Sequence, residues 1–190
     1  MNLKKIYKKI SISKLISIKK DETNLDQMLK LRNQNYIRKN MYNSHIIKYE
    51  EHYNWVKNFV NKEYQSIYLI FFQRKYVGSI IIKNFCKKNK RAEWAYYVDK
   101  KSSIFLGFLV EFKFLNFFFS NLKMNKLNCG VLDFNEKVVK LHKKFGFEIE
   151  GKKKQHIFRN KIFHDAILMG LNKKKWWLFR KLIQKKYNLL

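Results

Sequence analysis

The chain has no proline, six glycines among 190 residues, two cysteines, and only 14 acidic residues against 42 lysines and arginines. Without proline or a glycine-rich run there is no linker signature, so the length fits one domain of ordinary size. Cys86 and Cys129 stand far apart, outside any CxxC or His-Cys cluster, so neither a disulfide framework nor a zinc site is indicated and a reducing cytoplasm fits. The longest apolar run, 104–119, carries Glu111 and Lys113, is too short to cross a bilayer and reads as a buried helix. The first twenty residues break their apolar positions with lysine and lack a small-residue cleavage site, so no secretory signal is expected.

Hydrophobic residues make up 46% and aromatics 17%, enough to fill a real core. The shortage of acids leaves a formal charge of +28, which attracts polyanions and anionic substrates. Inflated Lys, Asn, Ile and Phe are also what compositional drift in an AT-rich genome produces. No aromatic-basic recognition motif accompanies the charge, so drift is favoured over a specific nucleic-acid partner.

Along the chain, 14–18 reads as a first strand, followed by a helix capped by Thr23 or Asn24 and ended by Arg32-Asn33. After an irregular stretch, 50–60 reads as an amphipathic helix with Tyr53, Val56 and Val60 inward. Strands 66–72 and 76–84 form a hairpin across Gln73-Arg74-Lys75, and 91–98 supplies a fourth strand. A helix over 107–121, a strand over 127–134 and a helix over 135–145 follow. Strands 147–152 and 163–171 flank a polar excursion and should pair antiparallel. The pattern is a mixed α/β sheet with helices on both faces. Residues 1–171 form the domain and 172–190 a basic amphipathic helix, its stripe Trp176, Phe179, Ile183 and Tyr187 resting either on an anionic membrane surface or on the domain itself.

Two segments carry the chemistry. Strand 92–98 runs through Asp99-Lys100-Lys101-Ser102-Ser103 into Leu106-Gly107-Phe108, where the unpaired first amides of a helix suit a pyrophosphate and Gly107 permits close approach. Downstream, Leu132-Asp133-Phe134-Asn135 leads through Lys140, Leu141 and His142 to Phe145-Gly146-Phe147. Asn135 is placed to cap its helix, and Asp133 and Glu136 read as helix N-terminal acids.

Together these segments resemble the cofactor-binding core of the GCN5-related N-acetyltransferases, the GNAT superfamily. The resemblance spans roughly 13–171 and implies a mostly antiparallel sheet splayed between strands four and five, acetyl-CoA as cosubstrate, and acetyl transfer to an amine. The family loop usually reads Arg/Gln-x-x-Gly-x-Gly/Ala; here Phe105 takes the first glycine's place and Ser102-Ser103 lie near the leading polar residue. The resemblance implies Val98, Lys101, Ser102, Ser103, Leu106, Gly107, Phe108, Asn135 and Lys140 as cofactor contacts. It makes Glu93 the base that deprotonates the amine. His142 stands where many members place a thiolate-protonating Tyr, or else as a residue without catalytic part.

In the N-terminal half, Arg32-Asn33, Ile37-Arg38, Met41-Tyr42 and Glu50-Glu51-His52 are similar to the pattern of UDP-4-amino-4,6-dideoxy-N-acetyl-β-L-altrosamine N-acetyltransferases of pseudaminic acid synthesis, a route to flagellin glycosylation. That likeness implies a UDP-aminosugar acceptor met by Arg32, Asn33, Met41, Tyr42, His52 and Tyr96, in a cytoplasmic monomer or homodimer. A protein N-terminal or other small-amine acetyltransferase shares the same cofactor half. A basic nucleic-acid-binding module that has lost catalysis is the rival of another class.

Overall fold

The computed structural model describes residues 2–17, 22–102 and 105–189. Its strands are β1 (Ile10–Lys14), β2 (Ser66–Phe72), β3 (Lys75–Cys86), β4 (Arg91–Val98), β5 (Lys126–Leu132), β6 (Glu148–Arg159) and β7 (Ile162–Asn172), in the spatial order β1-β2-β3-β4-β5-β7-β6. Neighbouring strands run antiparallel except β4 and β5, which are parallel over three pairs, Arg91–Lys126, Ala92–Leu127 and Glu93–Asn128. Beyond the Glu93–Asn128 pair the two strands part. From Trp94 onward the edge of β4 that faces β5 therefore offers main-chain groups to a ligand instead of a strand.

The helices are α1 (Leu3–Lys8), α2 (Glu22–Arg32), α3 (Asn35–Arg38), α4 (Tyr49–Val60), α5 (Leu106–Asn116, continued by a π-helical turn Phe117–Asn121), α6 (Glu136–Lys144) and α7 (Lys173–Tyr187). Period-two alternation on β2 sorts its side chains between two cores. Ile67 and Leu69 meet Leu25 and Met28 of α2 and Val56 and Phe59 of α4. Tyr68 and Ile70 face the aromatic layer of α5 and α7, which includes Phe112, Phe114 and Trp176. The mixed sheet with helices on both faces matches the sequence expectation.

Several local expectations shift. The first strand occupies Ile10–Lys14, where Ile10 packs inward opposite Phe72, and α1 precedes it. Residues 15–17 of the expected strand lie beyond the end of β1, Ile18 and the cap region before Glu22 lie outside the described residues, and Thr23 and Asn24 sit inside α2. In α4 Val56 is inward as expected, and its buried companions are His52 and Phe59, each one position before the expected Tyr53 and Val60. The polar excursion after 152 is a continued strand, because cross-strand pairing to β7 overrides the lack of apolar alternation; its turn is Asn160-Lys161, both at positive φ. The hairpin between β2 and β3 turns in the same way through Gln73 and Arg74.

The stripe of α7 packs on the domain: Trp176 and Ile183 are buried, and Tyr187 meets Phe108 edge-on at 4.8 Å. Among the described residues no helix is long and apolar enough to cross a membrane.

Candidate active site

The fork between β4 and β5 organises the site because successive β4 side chains alternate faces. Trp94 and Tyr96 point to α5, where Trp94 stacks on Phe114 at 5.2 Å. Glu93 and Tyr97 point to the α2–α4 side. Glu93, in the last bonded pair before the strands part, thus shares its face with its register partner Asn128 and with Gly130, two residues further on. Tyr42 crosses this face so closely that a Cβ on Gly130 would collide with its hydroxyl. Burial, then Cys129 and Glu93, raise the Tyr42 pKa, which keeps the phenol protonated beside the carboxylate.

On the coenzyme side, Asp99 builds the loop into α5. Its Oδ1 accepts the Lys101 N–H at 2.9 Å and the Tyr36 hydroxyl at 2.7 Å, and its Oδ2 accepts the Ser102 hydroxyl at 3.4 Å. Burial and this bond push the Tyr36 pKa up to about 12. The first turn bond of α5 runs from the Leu109 N–H to the Phe105 carbonyl at 3.0 Å, so the amides of Leu106, Gly107 and Phe108 precede any i−4 partner within the helix. A Cβ added to Gly107 would meet only Val98 and Tyr96, at 3.7 and 4.0 Å. Leu106 and Phe108 place their side chains in the apolar layer, leaving their amides as the groups a pyrophosphate would use. Asn135 makes no side-chain cap bond to α6, so the expected cap is absent and its amide is available to a ligand. Lys140 is exposed and paired with Glu136 at 3.1 Å. Ser103 lies outside the described residues.

Beneath the fork, His142 is buried with Nδ1 2.7 Å from Glu111 Oε1, and Tyr96 donates to Glu111 Oε2 at 2.8 Å. Tyr96 is therefore committed to the α5 face, away from the acceptor side where the sequence reading put it. Tyr97 occupies that side, its hydroxyl 3.5 Å from that of Tyr76.

On the acceptor side, Arg32 donates to the Asn43 carbonyl at 2.7 Å and Asn33 exchanges both its amide groups with the Ile47 main chain, at 2.8 and 2.9 Å. Asn33 thus holds the loop before α4. Arg159 reaches from β6 to the carbonyls of Lys39 and Met41, at 2.9 and 3.1 Å, and fixes the loop that carries Tyr42. Burial lowers the His52 pKa, with nearby Arg32 adding to the effect, so the imidazole is neutral. Three buried polar atoms remain unpartnered here: Arg32 Nη1, His52 Nε2 and Asn128 Oδ1.

A profile of the acetyltransferase (GNAT) domain family matches residues 18–168. The chain belongs to the GNAT acetyltransferase domain family. A curated relative, the SPbeta prophage-derived uncharacterized N-acetyltransferase YokL of Bacillus subtilis strain 168, is 36% identical over 64 residues, 34% of this chain and 36% of that protein. The match therefore spans about a third of the relative's length. Among solved structures, spermidine N-acetyltransferase from Vibrio cholerae in complex with CoA and spermine superposes with a TM-score of 0.79 at 16% identity, covering 90% of this chain and 99% of that one. The spermidine/spermine N-acetyltransferase of the same organism in complex with manganese ions gives 0.72 at 17% identity, over 91% and 98%. At such identities these structures establish the fold.

The GNAT family uses acetyl-CoA, and the open β4 edge with the N-terminal amides of α5 fits that cosubstrate. The fold brings Glu93 and Tyr42 to one face and His142 to the other. It also adds residues that sequence reasoning passed over: Asp99, Glu111, Asn128 and Arg159. Glu111 carried a signal as the single acid inside a long apolar run, and Asp99 as the acid that opens the loop before α5; Asn128 and Arg159 became visible only through long-range pairing.

Proposed function

We propose that this GNAT domain transfers the acetyl group of acetyl-CoA to the 4-amine of a UDP-linked amino-dideoxysugar. The observation that carries the reading is a buried donor without a partner on the acceptor side, Arg32 Nη1, in a chain of net charge +28. An unpaired buried donor costs about 1–3 kcal/mol, and a diphosphate or uracil oxygen is the kind of acceptor that removes this cost. A polycationic amine such as the spermidine of the solved neighbours would meet repulsion there.

In this reading Glu93 takes a proton from the sugar ammonium, directly or through water, and the neutral nitrogen attacks the acetyl carbon. Asn128 Oδ1 accepts the second amine N–H and orients it. Met41 and Tyr42 offer apolar surface to the deoxysugar or the base. Amides of Leu106, Gly107 and Phe108 hold the pyrophosphate with Lys101 nearby, and Asn135 meets the pantetheine arm. His142 faces the departing sulfur.

The test is the rate of CoA release with the UDP-aminosugar, with spermidine and with an N-terminal peptide, each at matched acetyl-CoA. The nucleotide sugar should be turned over with a kcat/KM at least about a hundredfold above the others. Preference for the peptide would replace this acceptor with a protein N-terminus; preference for spermidine would remove the anionic reading.

A further inference from the structure

Glu111 is a carboxylate with no exposed surface in the otherwise apolar centre of α5. Such a charge is tolerated only where it is paired and hydrogen-bonded. Both its oxygens are matched: Oε1 by His142 Nδ1 at 2.7 Å, Oε2 by the Tyr96 hydroxyl at 2.8 Å. A carboxylate accepts, so Nδ1 carries a proton, and the hydrogen bond that His142 shares with Cys129 falls to Nε2, on the β5 side of the ring. The ring lies 5.8 Å from Trp94 and 5.0 Å from Phe147, beside Cys129. Trp94 and Cys129 directly follow the last bonded β4–β5 pair, so the imidazole sits under the point where the strands part.

We infer that Glu111 is the positioning residue of the leaving-group step, holding His142 as an imidazolium whose Nε2–H, beside Cys129, is the donor to the coenzyme sulfur. The groups facing the ring are Glu111 from α5, Tyr96 from β4 and Cys129 from β5. Burial alone would lower the imidazole pKa; the charge and hydrogen bond of Glu111, with Cys129, outweigh it and raise the pKa to about 10. As the amine nitrogen bonds to the acetyl carbon, the carbon–sulfur bond breaks and its electron pair stays on sulfur. Nε2–H stabilises that thiolate and gives it a proton, which solvent restores to His142. The inference rests on acetyl transfer from the thioester and not on which amine accepts.

The test needs no acceptor. Calorimetric affinities of CoA and of desulfo-CoA are compared from about pH 6 to about pH 9, across the range where a thiol ionises. The wild type should bind CoA the better, by a ratio that grows roughly tenfold with pH. Glu111→Gln and His142→Gln should keep their affinity for desulfo-CoA and lose the pH-dependent ratio. A flat ratio in the wild type overturns the inference without any variant, and so does a rising ratio in folded Glu111→Gln. A rising wild-type ratio with no turnover of the UDP-aminosugar removes the acceptor assignment and leaves the role of Glu111 standing.

Discussion

Glu93 owes its place to register: it is the last β4 residue bonded across to β5, so its side chain stands where the open edge begins. The sequence named it from its position beside the cofactor strand. Period two puts its neighbours Trp94 and Tyr96 on the far side and leaves Tyr97, Asn128 and Tyr42 as its company. Glu93→Gln should lower kcat about 10²- to 10³-fold while the Kd for acetyl-CoA, followed by calorimetry, is unchanged. His142 makes a second prediction. Its folded pKa near 10 lies above the ordinary 6.5, so the pairing adds stability that is fully present below about pH 6.5 and is lost as pH rises through about 10. Urea midpoints of the wild type should fall over that window, and in Glu111→Gln the fall should largely vanish.

Elements carry the acceptor loop. The β6–β7 hairpin reads as polar in sequence, yet it continues past the end of β5, and its Arg159 clamps the Lys39 and Met41 carbonyls. Arg159→Ala should raise the KM for the acceptor about tenfold with little change in the KM for acetyl-CoA, since only the loop bearing Tyr42 is released. At the end of α6, Gly146 has φ +94° and lies against the Phe179 ring of α7, so a Cβ there is strained and crowded at once. Gly146→Ala should destabilise by about 1–3 kcal/mol, read as a lower thermal midpoint, by lifting α7 off Phe145 and Phe108. The Gly-Phe stop of this helix was plain in the sequence. What it docks against was not, because Phe179 is 33 residues away in the chain.

Across the whole molecule, +28 favours encounter with anions at any surface point. Raising salt from about 0.05 to about 0.5 M should therefore raise the KM for an anionic acceptor several-fold through screening, and leave kcat near its low-salt value. A cationic acceptor would show the opposite trend, with KM falling as salt rises. Initial-rate measurements at saturating acetyl-CoA separate the two.

The sequence by itself determined seven strands and five of the helices in their order, missing α1 and α3, together with the strand-loop-helix that ends at Gly107 and the Asn135 to Phe147 segment, because local periodicity and helix-end chemistry act within a few residues of the chain. Only the tertiary structure decided that β4 and β5 part after one particular pair, that Tyr96 and Tyr97 serve opposite faces, and that a lone acid in an apolar helix meets His142. These depend on strand register and on packing between segments 15 to more than 100 residues apart, which no local pattern encodes.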